Sequence, residues 1–189
     1  SDAKLNWRKQ LLRSILRTEY RICARLFHLP PRSAFLYADK FDAVKEQAIS
    51  VFADQGFDCV WYEHTHTYPF VDSLLRLSGD FSRPAIVCNA HNIEWVLYDR
   101  ISKLAKDTWE EEDGRLQTGL VKKSETKQFN ACSLVFVCSI EDKKAGLDLV
   151  PETKFEVVGN GVDTQYFHAV DTEERVTAPT LLFTGTFGY

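Results

Sequence analysis

Three of the five histidines in this 189-residue chain stand directly behind short apolar runs. After Cys59-Val60-Trp61-Tyr62 come Glu63, His64, Thr65, His66, Thr67 and Tyr68. After Ala85-Ile86-Val87-Cys88 come Asn89, Ala90, His91, Asn92, Ile93, Glu94 and Trp95. Imidazoles beside carboxylates can exchange hydrogen bonds with a hydroxyl-rich ligand, or move a proton near neutral pH. For His64 and His66 two readings stay open: contacts to a substrate, or hydrogen-bonded residues that close a loop. His91, flanked by Asn92 and Glu94 where a helix begins, is the stronger ligand candidate. His64 and His66 would face one way from an extended segment, and His91 could complete a metal set. The chain has neither HExxH nor paired-cysteine spacing, so no metal is expected.

Two glycine-bearing stretches add backbone chemistry. Gly159-Asn160-Gly161 ends the run Phe155-Glu156-Val157-Val158. The trio either turns the chain sharply through positive φ, or lets exposed amides approach an anion. Thr184-Gly185-Thr186-Phe187-Gly188 follows Leu181-Leu182-Phe183 and could open a phosphate-facing loop. It matches neither a P-loop nor the G-x-G-x-x-G fingerprint.

What positions these residues is a repeated alternation. Helical stretches at about 41–55, 71–77, 92–130 (broken near Asp113-Gly114) and 140–149 alternate with FDCVWYE, AIVCNAH, CSLVFVCS and KFEVVGNG. Short apolar runs separated by helices predict βαβ units and a Rossmann-like parallel sheet with flanking helices, an α/β fold. Such sheets are covered on both faces, which explains runs that are apolar throughout. Ligands of open α/β sheets sit outside the carboxyl ends of the strands, where the histidines fall. Ser139, followed by Glu141 and Asp142, predicts a capped helix start.

Composition sets the outer limits. With 44% hydrophobic and 26% charged residues the chain is globular. Five cysteines without Cys-x-x-Cys spacing, most in or beside apolar runs, read as buried free thiols in a reducing, cytoplasmic setting. No apolar run approaches the roughly 18 residues of a membrane span. The absence of methionine reads as a processed or cut chain. The net charge of −4 is uneven: residues 1–32 hold eight basic and two acidic side chains, +6, so the remainder carries −10. Arg13, Arg17, Arg21 and Arg25 recur every fourth residue and form a basic stripe on a predicted first helix. That stripe is either a solvated face or a peripheral membrane contact through residues 1–27, which would make the protein membrane-associated. No aromatic-interleaved basic patch supports nucleic acid as a partner.

The order HNIEW, the Glu125-bearing helix, ACSLVFVCS, VVGNGVDTQYF and LLFTGTFGY, at this spacing, resembles the family-4 (group 1) glycosyltransferases of the GT-B fold, over roughly residues 57–189. The resemblance implies an N-terminal acceptor-side domain over 1–170 whose first strand would precede Ser1, a linker over 171–178, and the start of a truncated donor-binding domain over 179–189. It implies retaining transfer of a sugar from a nucleotide-sugar donor, used as substrate with no further cofactor, to a polysaccharide, lipid-linked or similar acceptor. His91 would contact the donor sugar as the catalytic residue, with His64, His66, Asn92 and Glu94 binding substrate. Gly159, Asn160, Gly161, Gly185 and Thr186 would face the donor. The family's pair of glutamates spaced eight apart lies in the second domain and has no counterpart in this sequence, so the fragment alone is expected to be inactive. A sugar-nucleotide epimerase of the same fold and a non-catalytic Rossmann-like binding module are the competing readings.

Overall fold

The computed structural model describes residues 31, 44, 46–51, 57–77, 84–168 and 181. The basic stripe, Gly185, Thr186 and, apart from Leu181 itself, the strand expected to start at Leu181 lie outside the described residues. Of the helix expected at 41–55, the described residues 44 and 46–51 are helical.

Four strands form one parallel sheet in the order β1 (Cys59–Glu63), β2 (Ala85–Asn89), β3 (Leu134–Val137), β4 (Phe155–Val157). Each is rich in β-branched, aromatic or other apolar residues that fit a pleated, covered surface. The register pairs Glu63 with Asn89 and Asn89 with Phe136, so the carboxyl ends of β1 and β2 finish level. Between the strands run α1 (Tyr68–Leu77), α2 (Glu94–Lys103), α3 (Thr108–Ala131) and α4 (Ile140–Leu149). The expected α/β fold, a parallel sheet with flanking helices, is present.

The core lies between the sheet and its helices. Cys88, Ala90, Phe129 and Val135 are fully enclosed, and Phe129 meets the edge of the Phe155 ring with centroids 5.5 Å apart. Burial on β3 alternates between buried and half-buried positions, as a period-2 strand requires. Two of the thiols, Cys88 and Cys132, are buried beside the Tyr62 hydroxyl, which approaches Cys132 Sγ at 3.4 Å and donates to Gln128 Oε1 at 3.2 Å. Cys132's hydrogen bond and then burial push the Cys88 thiol up, which keeps it protonated. Cys59 corrects the expectation of uniformly buried thiols: it is exposed on β1, and Cys138 is only partly covered.

The long helical stretch is divided in a different place from the one expected. The break falls at Leu104–Asp107, and α3 runs straight through Asp113 and Gly114. Asp107 is the N-cap, accepting from the Glu110 amide at 2.8 Å, while Glu110 Oε2 accepts from the Lys106 amide at 3.0 Å. This reciprocal arrangement is a variant of the capping box. Gly114 has a packing role instead: a Cβ there would lie 2.6 Å from Ser102 Cβ on α2, so its bareness allows the two helices to approach closely. Helix α1 begins earlier than expected, with Pro69 in its first turn, where a missing N–H costs nothing. Ser139 caps α4 as predicted, its Oγ accepting from the Asp142 amide at 3.0 Å.

By internal contacts the chain divides into two units, residues 1–158 and 159–189. In the second, Asp163 closes a turn by accepting from the amides of Gln165 at 2.9 Å and Tyr166 at 3.0 Å.

Candidate functional site

The parallel register puts Glu63 and Asn89 side by side, and two residues beyond Asn89 the chain reaches His91. Glu63 is where the polar groups converge. Its Oε1 accepts from the Trp61 indole at 2.7 Å, and its Oε2 from Asn89 Nδ2 at 2.9 Å. His91 Nε2 lies 2.7 Å from the same Oε2. Hydrogen bonds from Trp61 and then His91 hold the Glu63 carboxyl below its usual range, so at neutral pH it is ionised and accepts only. The proton of that contact therefore belongs to His91 Nε2. Neutral His91 is then the Nε2–H tautomer, with Nδ1 as its accepting nitrogen.

Both flanking loops are held in unusual backbone conformations. His64 has φ 63° and His91 φ 59°, the non-glycine positions with positive φ among the described residues. Such a conformation is uncommon for a side chain of this size and persists where surrounding contacts enforce it. His64's amide donates to Asn89 O at 2.9 Å, extending the ladder one step beyond β1. Beyond it the chain does not stay extended, contrary to the expectation for His64 and His66. It turns at once into a 3-10 turn, Thr65–Thr67, closed by Thr67 Oγ1 donating to Glu63 O at 2.8 Å and to His64 O at 2.9 Å.

The result is a row of three imidazoles. His64 stacks on His91 with centroids 4.2 Å apart and 21° between planes, and on His66 at 5.1 Å and 15°. Burial, and then a neighbouring imidazole, lowers the proton affinity of His64 and His66, favouring neutral rings in the stack. Among the described residues there is no cluster of three histidine, cysteine or acidic side chains able to hold a metal ion.

Glu94 and Asn92 flank this row differently. Asn92 is exposed, whereas Glu94 is half-buried and burial raises its carboxyl. Glu94 lines a small pocket with Thr65, His66, Ser124, Glu125 and Gln128. Glu125 is almost wholly enclosed, at 1% exposure, yet sits in the middle of α3. Its Oε1 accepts from the Glu94 amide at 2.8 Å and its Oε2 from the Trp95 amide at 3.0 Å. These are orphan donors of the α2 N-terminus, whose own N-cap residue, Ile93, has no side chain able to accept them. Burial pushes the Glu125 carboxyl up to about 8, outweighing the two amides that pull it down.

Sequence reasoning placed His64, His66, His91, Glu63 and Glu94 at one sheet edge, with Asn92 as a further substrate contact, and the structure brings the three histidines into contact there. It did not single out Glu63 as the centre of the network, nor Glu125 as a helix cap. Gly159, Asn160 and Gly161 belong to the other unit. They do not make the positive-φ turn considered for them: neither glycine lies in the left-handed region, nor does Asn160, and nothing lies within 4 Å of a Cβ built on either glycine.

A parallel sheet whose strand ends carry a hydrogen-bonded carboxylate, an amide and stacked imidazoles defines a Rossmann-like protein with its polar groups at the expected ligand edge. The family is given by comparison: the chain matches the family model of Glycosyltransferase Family 4 over residues 7–166, and it belongs to that family. The match begins well upstream of the motifs that carried the resemblance and ends before Gly185 and Thr186. No curated relative and no solved structure matches the chain. Among the described residues no helix is long and apolar enough to cross a membrane.

Proposed function

We propose that this chain supplies the acceptor-side part of a retaining glycosyltransferase that takes its sugar from a nucleotide-sugar donor. The acceptor is a polysaccharide, a lipid-linked glycan or a similar polyhydroxylated molecule. The observation that carries this reading is the Glu63–His91 contact at 2.7 Å on the carboxyl edge of the sheet. His91 is the catalytic residue: the Glu63 carboxylate fixes its tautomer and orientation, so that Nδ1 can accept from a sugar hydroxyl or, once protonated, donate to it. His64, His66, Asn92 and Glu94 contribute substrate contacts around it. Transfer leaves a nucleoside diphosphate whose charge must be stabilised. The N-terminus of α2 is unsuited to that task, because Glu125 already accepts from its Glu94 and Trp95 amides. In this proposal the diphosphate is met by the backbone amides of Gly159, Asn160, Gly161, Gly185 and Thr186, together with basic side chains and without a metal.

The test uses the complete enzyme, a panel of UDP- and GDP-sugars, and His91→Ala and His91→Gln. Binding of one donor, turnover that falls at least about a hundredfold in both variants, and a product with the donor's anomeric configuration are expected. Unchanged turnover in His91→Ala would remove His91 from the mechanism, and an inverted product would remove retention.

A further inference from the structure

Glu125 stands 34 residues from His91 in sequence, and its chemistry is directed at the segment that follows His91. Helix α3 buries a stripe of Gln117, Val121, Glu125, Gln128 and Phe129, spaced as one helical face. A carboxyl group in that stripe is costly unless its oxygens are satisfied. Both are, by the first two amides of α2. The loop Ala90–Ile93 is fixed at its other end as well: Ala90 and Ile93 are buried, and the Ala90 amide donates to Phe136 O at 2.9 Å. Between these two anchors the chain has only three residues in which to turn, and His91 adopts φ 59°.

We propose that Glu125 is a positioning residue for His91: by holding the amides of Glu94 and Trp95 it keeps the β2–α2 loop in the conformation that stacks His91 on His64 and sets it against Glu63. This rests on the reading of His91 as the sugar contact, and it adds a residue from a different helix that never touches the ligand itself. An ordinary N-cap two or three residues away would serve α2 equally well. A cap supplied by α3 ties the loop to a second element, so the loop cannot shift without the helix pair shifting too. The alternative is that Glu125 merely stabilises the fold and that His91 would hold its place without it.

The two are separated by NMR of the uniformly labelled full chain. In the unmodified protein, exchange of the Glu94 and Trp95 amides is slowed as in the interior of α2; exchange at the rate of a free, solvent-exposed amide overturns the proposal whatever any variant does. Glu125→Gln, whose amide oxygen can still accept from one of the two amides, is expected to retain the His64–His91 ring contact and the positive-φ couplings of His91. Glu125→Ala is expected to lose both, with amide exchange at Glu94 and Trp95 faster by about tenfold or more. Phe155→Leu, a core change on β4, serves as a control of comparable destabilisation and should leave the His91 signals in place. If Glu125→Ala retains the ring contact and couplings, or if Phe155→Leu abolishes them equally, the residue is structural only. These readouts need no sugar, so they succeed or fail independently of the turnover of His91→Ala.

Discussion

Glu63 Oε2 accepts from both His91 Nε2 at 2.7 Å and Asn89 Nδ2 at 2.9 Å, so one carboxylate oxygen joins the ends of two neighbouring strands. The pair is open to solvent, with side-chain exposures of 51% for Glu63 and 37% for His91. An exposed hydrogen bond to a carboxylate contributes little to stability, because water competes for both partners. Its value to the protein is orientation.

Glu63→Ala should therefore separate activity from stability. Loss of the carboxylate frees the imidazole to rotate, and misplacement of a catalytic group by about 1 Å can cost about a hundredfold in rate. We expect a fall of that order in kcat of the complete enzyme, with an unfolding free energy from urea titration changed by less than about 0.5 kcal/mol. A large stability loss with unchanged kcat would show that the network is structural.

Glu125 predicts an unusual pH dependence. Its carboxyl is raised from 4.5 to about 8 by burial, so between those values the folded chain holds a proton that the unfolded chain has released. Stability is then fully present below the unfolded value and falls as pH rises towards about 8. Each tenfold change in proton affinity is worth about 1.4 kcal/mol, so the loss amounts to a few kcal/mol. His64 and His66, lowered by burial, act in the opposite sense: their neutral stack loses stability as pH falls below the ordinary histidine range. Urea unfolding at about pH 6, 7, 8 and 9 should show the decline in the parent chain and a flatter profile in Glu125→Gln. Equal slopes in the two proteins would contradict the assignment.

The sheet was legible because each strand is a compact apolar run that ends in a polar cluster, and the α4 start because Ser139 precedes two acids. The break between α2 and α3 was misplaced because Asp113-Gly114 resembles a stop signal, while Asp107-Thr108-Trp109-Glu110 carries the actual capping pattern. Glycine is ambiguous along a helix: at Gly114 it admits Ser102 from a neighbouring helix, a fact that only the packed pair reveals. Positive φ at His64 and His91 was equally hidden, since histidine does not advertise it as glycine does. Glu125 had a visible signal that went unused. Gln117, Glu125 and Gln128 share a buried face with Val121 and Phe129, and polar groups on such a face need partners. The partners of Glu125 are backbone amides on another helix, which no local pattern encodes.

The basic stripe of Arg13, Arg17, Arg21 and Arg25 supports a separate expectation, that residues 1–27 bring the protein to an anionic lipid surface. Sedimentation with phosphatidylserine-containing vesicles should be lost when Arg13, Arg17 and Arg21 become Glu, and should weaken with salt. Sedimentation that is unaffected by the triple substitution would rule out this surface as the anchor.

Two glycines of one helix should respond in opposite directions to the same substitution. At Gly119, on the exposed side of α3, an added Cβ meets nothing within 4 Å. Gly119→Ala therefore gains helix propensity without a steric cost and should stabilise by about 0.5 to 1 kcal/mol. At Gly114 the same methyl group would be driven into Ser102, whose backbone Cα lies only 2.9 Å from the new atom and cannot swing aside as a flexible side chain would. Forcing α2 and α3 apart should outweigh the gain in propensity, for a net loss of about 1 to 3 kcal/mol. Because α2 carries the amides that Glu125 holds, Gly114→Ala should also speed amide exchange at Glu94 and Trp95, whereas Gly119→Ala should not. Urea midpoints together with amide exchange on the two variants decide it: equal stabilisation by both would mean that the helices can separate freely, and that α3 does not hold the start of α2 in place.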